Sequence, residues 1–326
     1  MSPKFGSAAA VLLTSSMALV AGSNAQAQNQ EVIIDGSSTV TPIVIALAEE
    51  FQAANEGTVV SVATSGTGGG FKKFCVGETD ISMASRPIKQ SEIDVCAENG
   101  INFVELPVAF DGLAVVVNTG NDFAECLTVE ELNTMWNFDA EGTVNSWSDV
   151  RSDFPNTGLT LYGPGTDSGT FDYFSEAILG DDDIRADFTP SEDDNVIVTG
   201  VSGTPGGLGF FGLAYFEENA DVLNVVSIDG GSGCVEPSTE TVKDGTYSPL
   251  SRPLFIYVRA TSLAKAGVKN FAEYVLNDKG VAAGQVGYIA LPEEIYERGV
   301  NRLSQVTTGS VFTGLEPGTP IDQVFQ

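Results

Sequence analysis

The chain has 326 residues, 42% of them apolar and 36 of them glycine, enough for one large or two medium globular units of a turn-rich α/β kind. Lys and Arg total 15 against 44 Asp and Glu, a formal charge of -29, and so acidic a surface repels nucleic acid and anionic lipid, which excludes both as partners. There is no histidine, which removes Ser-His-Asp and Cys-His catalysis and the commonest transition-metal ligand together, and no metal or cofactor is expected.

Met1 to Ala27 reads as a signal peptide. Lys4 supplies the basic start, Ala8 to Ala21 is apolar or small, and Ala25-Gln26-Ala27 has the small-x-small pattern of a cleavage site. No Cys follows for a lipid anchor and no later run reaches about 18 apolar residues, so a soluble exported chain is expected.

The next segment, Glu31 to Asp35, is a short apolar strand that runs into Gly36-Ser-Ser-Thr-Val40. A helix follows, with Pro42 in its first turn, an apolar face of Val40, Ile43, Leu47 and Phe51, and Gly57 at its end. Thr58 to Ala63 is a second strand, Thr64 to Gly70 a flexible glycine turn, and Phe71 to Val76 a short helix. That turn is no nucleotide P-loop, because no Gly-Lys-Ser/Thr follows it.

Asp80 to Pro87 reads as a strand running out into Ser85 and Arg86. Arg86 is one of only seven arginines. It either pairs with Glu92 or Asp94 or offers a two-pronged grip on a tetrahedral oxyanion. Ile101 to Phe110 and Leu113 to Asn118 are apolar strand-like runs, and the segments after them alternate between helix and strand, which implies parallel sheets with helix-covered faces.

Tyr162 to Phe174 is the most telling stretch. A Gly/Pro turn after an apolar strand leads to Ser168, after which Phe171, Phe174 and Ile178 recur at helical spacing and Gly180 supplies the stop. A helix start carries unpaired N–H groups and partial positive charge, so Ser168, Gly169 and Thr170 either cap this helix or form one wall of a small-oxyanion site. Gly203 to Gly212 holds five glycines, assigned to crowding or a turn. A further strand is expected at Phe255 to Val258, a helix at Ser262 to Leu276, and after that a Pro/Gly-containing tail. Cys75, Cys96, Cys126 and Cys234 are an even number in an exported chain, without zinc spacing, so disulfides are expected in one of three pairings.

Five stretches occur together and in order: Gly36-Ser-Ser-Thr-Val, Gly66-Thr-Gly-Gly-Gly-Phe-Lys-Lys, Asp80-Ile-Ser-Met-Ala-Ser-Arg-Pro, Thr166-Asp-Ser-Gly-Thr-Phe and Ser251-Arg-Pro-Leu-Phe-Ile-Tyr-Val. In this the chain resembles the PstS-type periplasmic phosphate-binding proteins that feed an ABC transporter. The resemblance covers nearly all of the sequence after Ala27. It implies an α/β type II periplasmic-binding-protein fold, two lobes with a ligand cleft between them and a two-strand hinge at Ala109 to Leu113 and Ser251 to Phe255. Lobe one would then be residues 28–110 and 255–326, lobe two residues 111–254. That division favours the pairings Cys75 with Cys96 and Cys126 with Cys234, each within one lobe.

Carried over residue by residue, the resemblance makes Ser38, Thr39, the Val40 N–H and Thr67 phosphate ligands, with Ser65 a competitor of Thr67, and likewise Ser168, Gly169 and Thr170. Two positions depart from the pattern. Some members have an Asp where this chain has Ser85, to accept the ligand's proton, and an Arg where it has Pro164. Arg86 would replace the missing guanidinium, and Asp167 is the nearest proton acceptor, unless it is only an N-cap. The resemblance implies a monomeric periplasmic protein without enzymatic activity that binds inorganic phosphate and delivers it to a membrane permease. Alternatives are a binder of sulfate, arsenate or molybdate, a phosphate sensor, and an exported phosphoryl-transfer enzyme.

Overall fold

A computed structural model describes residues 30–166, 168–180, 182–315 and 321–325. The signal-peptide segment and Asp167 therefore lie outside the described residues. Among the described residues the strands are β1 (Glu31–Gly36), β2 (Val59–Thr64), β3 (Ile81–Ala84), β4 (Phe103–Asn118), β5 (Cys126–Thr128), β6 (Thr160–Gly163), β7 (Thr189–Pro190), β8 (Gly207–Gly212), β9 (Leu223–Val225), β10 (Ser227–Asp229), β11 (Cys234–Val235) and β12 (Ser251–Arg259). Nine form one sheet in the order β2-β1-β3-β12-β4-β8-β6-β7, with β9 also on β4, and β11-β10-β5 form a small second sheet.

The sheet has two halves joined by β4. Residues Phe103 to Gly112 of β4 pair antiparallel with β12, whereas Leu113 to Asn118 pair with β8 and β9. The runs Ile101 to Phe110 and Leu113 to Asn118 suggest two strands with a crossing between them. One strand runs through instead, buried at every position before Asn118, because Asp111-Gly112, which separates the two apolar runs, fits the ladder. The second crossing is the start of β12, where Ser251 to Leu254 pair with Gly112 to Ala109 before the register shifts at Leu254/Phe255.

In the first half, helix Thr41–Ala54 buries Ile43, Val44, Leu47 and Phe51, and the Phe51 ring meets Phe271 edge-on at 5.3 Å between centroids. In the second half, Trp136 sits edge-on against Phe174 and Phe210, which stack on each other at 3.8 Å. Phe174 ends helix Gly169–Phe174, which continues as a π-helical turn through Ser175–Leu179, so this aromatic cluster holds the expected Ser168 helix in place.

A further expectation is corrected. The glycine stretch expected to be a turn is the start of helix Gly66–Phe74. Glycine costs helix stability, but a Cβ on Gly70 would come within 2.6 Å of the Gly36 Cα and 3.0 Å of the Asp35 carbonyl oxygen, so its absence lets the helix lie directly on β1. The Pro/Gly-containing tail after Leu276 holds a further helix. Helix Glu293–Ser304 buries Ile295, Tyr296, Gly299 and Leu303, a helical spacing that the surrounding charged residues obscured.

The disulfides are Cys75–Cys96, within the first half, and Cys126–Cys234, within the second. They close loops with sequence separations of 21 and 108. On chain entropy, Cys126→Ser with Cys234→Ser costs about 4 to 5 kcal/mol and the Cys75/Cys96 double serine variant about 3. The expected order of melting temperatures in non-reducing calorimetry is therefore wild type, then the Cys75/Cys96 variant, then the Cys126/Cys234 variant.

Candidate functional site

Three loops of the first half and one helix of the second meet at a cavity of about 150 Å³. After β1 the chain turns through Ser37, Ser38 and Thr39 into helix Thr41–Ala54, whose N-cap residue, Val40, offers no side-chain cap. Among the described residues the amides of Ser38, Thr39 and Val40 make no backbone hydrogen bond, which leaves N–H groups at a helix start for a ligand. Ser38 and Thr39 line the cavity, whereas the Val40 side chain is fully buried behind them, so only its N–H could serve.

Thr67, in the first turn of the glycine helix, faces Ser85 from the end of β3. Their hydroxyls are 3.0 Å apart and the Ser85 N–H donates to Thr67 Oγ1 at 3.2 Å. Ser65, the alternative to Thr67, donates instead to Asp35 Oδ1 at 2.7 Å, and that carboxylate also pairs with Lys73. Thr67 is thus the hydroxyl on the cavity wall.

Arg86 lines the cavity and also makes the pairing open to it in sequence: its Nη1 and Nη2 donate to the two oxygens of Glu92 at 3.0 and 2.8 Å. Burial alone would lower the guanidinium pKa, but the Glu92 fork outweighs it and holds Arg86 charged above its ordinary range. The fork also occupies both terminal nitrogens, which limits the donors left to face a ligand.

At the start of the Ser168 helix the capping alternative applies. Ser168 caps it, accepting from the Thr170 N–H at 3.1 Å, and neither Ser168 nor Thr170 is on the cavity wall. Gly169 lies directly against Thr39 of the other half: a Cβ there would stand 2.3 Å from Thr39 Oγ1 and 2.7 Å from Thr39 N. What this helix contributes to the wall is Asp172 and Glu176, one turn apart. Burial raises the Asp172 carboxyl above its usual range, Arg252 opposes this, and Glu176 adds to it.

Arg252, on β12 at the hinge crossing, was not singled out in the sequence. It is 10% exposed and lies with its guanidinium 3.6 Å from the centroid of the Tyr173 ring. Its Nε and Nη2 donate to Asp111 Oδ2 on β4 at 3.3 Å, and Nη2 also reaches Thr39 Oγ1 at 3.2 Å and the Gly169 carbonyl oxygen at 3.4 Å. The available signal was its place in Ser251-Arg-Pro, a rare arginine held stiff by the next residue. For Asp172 and Glu176 the signal was i, i+4 spacing from the helix start.

A second cavity of about 380 Å³ adjoins the first through the shared walls Ser85, Arg86, Glu176 and Arg252 and is otherwise mostly apolar, with Phe110, Tyr173 and Phe312. Among the described residues there is no cluster of metal-binding side chains, and no helix is long and apolar enough to cross a membrane. The site can therefore hold a small anion with hydroxyls, amides and guanidinium groups.

A two-half α/β sheet crossed by two strands, with a small polar cavity at the crossing, defines a type II periplasmic-binding-protein fold. Residues 21–279 match the family model of the PBP superfamily domain. The chain is 48% identical to protein SphX of Synechococcus elongatus over 94% of its length and 92% of that protein's. It is 40% identical to the phosphate-binding protein PstS of Staphylococcus saprophyticus over 85% of each. A crystal structure of a possible phosphate-binding protein from Planctomyces limnophilus superposes with a TM-score of 0.81 and 46% identity, covering 85% of this chain and 98% of that one. The chain belongs to the PBP superfamily, among the relatives of SphX and PstS.

Proposed function

We propose that the protein binds inorganic phosphate in the 150 Å³ cavity, outside the cytoplasm, and presents it to the membrane permease of an ABC importer. The observation that carries this reading is the meeting of Ser38, Thr39, Thr67, Ser85 and Arg86, drawn from three separate loops, around one cavity of a size suited to a tetrahedral ion. Its relatives' names point to the same ligand. The two halves act as lobes, residues 28–110 with 255–326 and residues 111–254, that close on the anion by bending where β4 and β12 cross. The overall negative charge does not forbid this, because short-range donors act inside a cavity while solvent salt screens the surface over about 10 Å. Six or seven charge-assisted hydrogen bonds of about 1.5 kcal/mol give roughly 10 kcal/mol, against about 8.2 needed for micromolar affinity.

Ser168 and Thr170 serve through the helix start they shape rather than as cavity walls, and a monomer suffices for the site. Relatives named as phosphate-binding proteins support binding without turnover. Calorimetry tests this: one phosphate per chain, with no release from a generic phosphate ester, is expected, whereas steady ester hydrolysis refutes it. Arg86→Ala is expected to weaken phosphate at least tenfold, since it removes a cation from the wall and frees the Glu92 carboxylate to repel the ligand. Unchanged affinity would make Arg86 a partner of Glu92 and nothing more. Phosphate competed by sulfate at two pH values separates phosphate selectivity from general oxyanion binding.

A further inference from the structure

We propose that Arg252 supplies the principal guanidinium for the anion and that its link to Asp111 couples the bound anion to lobe closure. This rests on reading the 150 Å³ cavity as the anion site. Two arginines line that cavity, and their commitments differ. Arg86 is gripped by both Glu92 oxygens through both of its terminal nitrogens. Arg252 meets a single Asp111 oxygen at a long 3.3 Å, and its Nη1 makes no hydrogen bond among the described residues, standing 4.0 Å from a Glu176 oxygen. Charge-assisted bonds are normally about 2.7 to 2.9 Å, so the Asp111 pair is loose and Arg252 keeps donors to spend.

Its position adds the coupling. Arg252 and Asp111 face each other across the paired strands at the hinge crossing, and the same Nη2 reaches Thr39 of the first half and Gly169 of the second. The Tyr173 ring beneath the guanidinium belongs to the second half and is fixed by its own hydroxyl, which donates to the Pro249 carbonyl oxygen at 2.6 Å. One side chain thus touches both halves and the strand that bends between them. An anion drawing on Arg252 loosens its hold on Asp111 and ties it to Thr39 and Gly169, which is a preference for the closed arrangement.

The test is calorimetry with inorganic phosphate on the full chain, with small-angle scattering to follow compaction. Arg252→Gln is expected to weaken phosphate at least thirtyfold and to remain extended at phosphate concentrations that compact the wild type. Arg252→Lys, which keeps the charge and loses the fork, falls between. Asp111→Asn is the decisive variant: removing the competing carboxylate leaves phosphate affinity undiminished, with about threefold tighter binding expected. A purely structural Arg252–Asp111 pair predicts equal losses in Arg252→Gln and Asp111→Asn, and that result, or wild-type affinity in Arg252→Gln, overturns the proposal. Should Arg252→Gln fail to fold, the opposite effects of Arg252→Lys and Asp111→Asn decide by the same criterion. If the wild type itself gives no heat with phosphate, the cavity reading is what fails.

Discussion

Gly169→Ala is expected to reduce phosphate affinity by more than a hundredfold while leaving the melting temperature of the ligand-free protein close to wild type. The added methyl would lie 2.3 Å from Thr39 Oγ1, 2.7 Å from Thr39 N and 2.8 Å from Thr39 Cα. Two of these are backbone atoms, so no rotamer change relieves the overlap. The colliding elements are carried by different halves of the sheet, and the least costly relief is to hold the halves apart. An open cleft leaves the anion in contact with water and parts Arg252 from the Gly169 carbonyl, and a loss of about 3 kcal/mol, at 1.4 kcal/mol per tenfold, is a hundredfold in affinity. Within its own helix the substitution is favourable, since alanine is a better helix former than glycine by about 1 kcal/mol. Calorimetry and a thermal melt on the same sample check both halves of the expectation. Binding at wild-type strength would show that the Thr39 to Gly169 contact is absent from the liganded state.

Asp80→Ala is expected to cost about 3 to 5 kcal/mol of stability, by the rule for breaking a buried ion pair from one side. Asp80 is 1% exposed and accepts from Arg259 at 3.0 Å, from Ser262 at 2.7 Å, from Lys265 at 3.0 Å to both oxygens, and from the Ile33 N–H at 3.1 Å. It binds β1 and the end of β12 to the segment before β3, and its loss strands two cations and a strand amide. Burial pushes its carboxyl up, but Ser262, Lys265 and the Ile33 amide together push it further down, below 3.8. A depressed folded value means stability that is fully present above the unfolded carboxylate range and is lost as pH falls through the folded value. Glu105, buried on β4 and bonded to Ser310, Val311 and Tyr257, is raised above 4.5 by burial, so its contribution is full below that value and fades as pH rises past its folded one. Urea midpoints against pH should therefore show a flatter acid limb for Asp80→Ala than for wild type. An unchanged limb would assign the acid sensitivity to other carboxylates.

Much of the first half could be read from residues alone. The β1 strand, the Pro42 helix and the end of β3 at Ser85 and Arg86 are local patterns with local causes. The glycine helix was hidden because the glycines are there for the close approach of Gly70 to Gly36, a contact between distant segments. Among the residues that line the cavity, Ser38, Thr39, Thr67, Ser85 and Arg86 were legible from motif order. Arg252 was not, because its value comes from standing between Asp111, Thr39 and Gly169, which only the folded chain brings within 3.4 Å.

The strand order also fixes a schedule for assembly during synthesis. Ala84, at the end of β3, has Phe255 as its partner on β12, and the front of β4 takes the same strand as its neighbour. The half of the protein that is made first thus has a gap in its sheet that only the last quarter of the chain can fill. Until β12 arrives, the apolar edges of β3 and β4 stay bare and open to pairing with other chains, so a holding factor that delays collapse until translation ends would be of most use to this half.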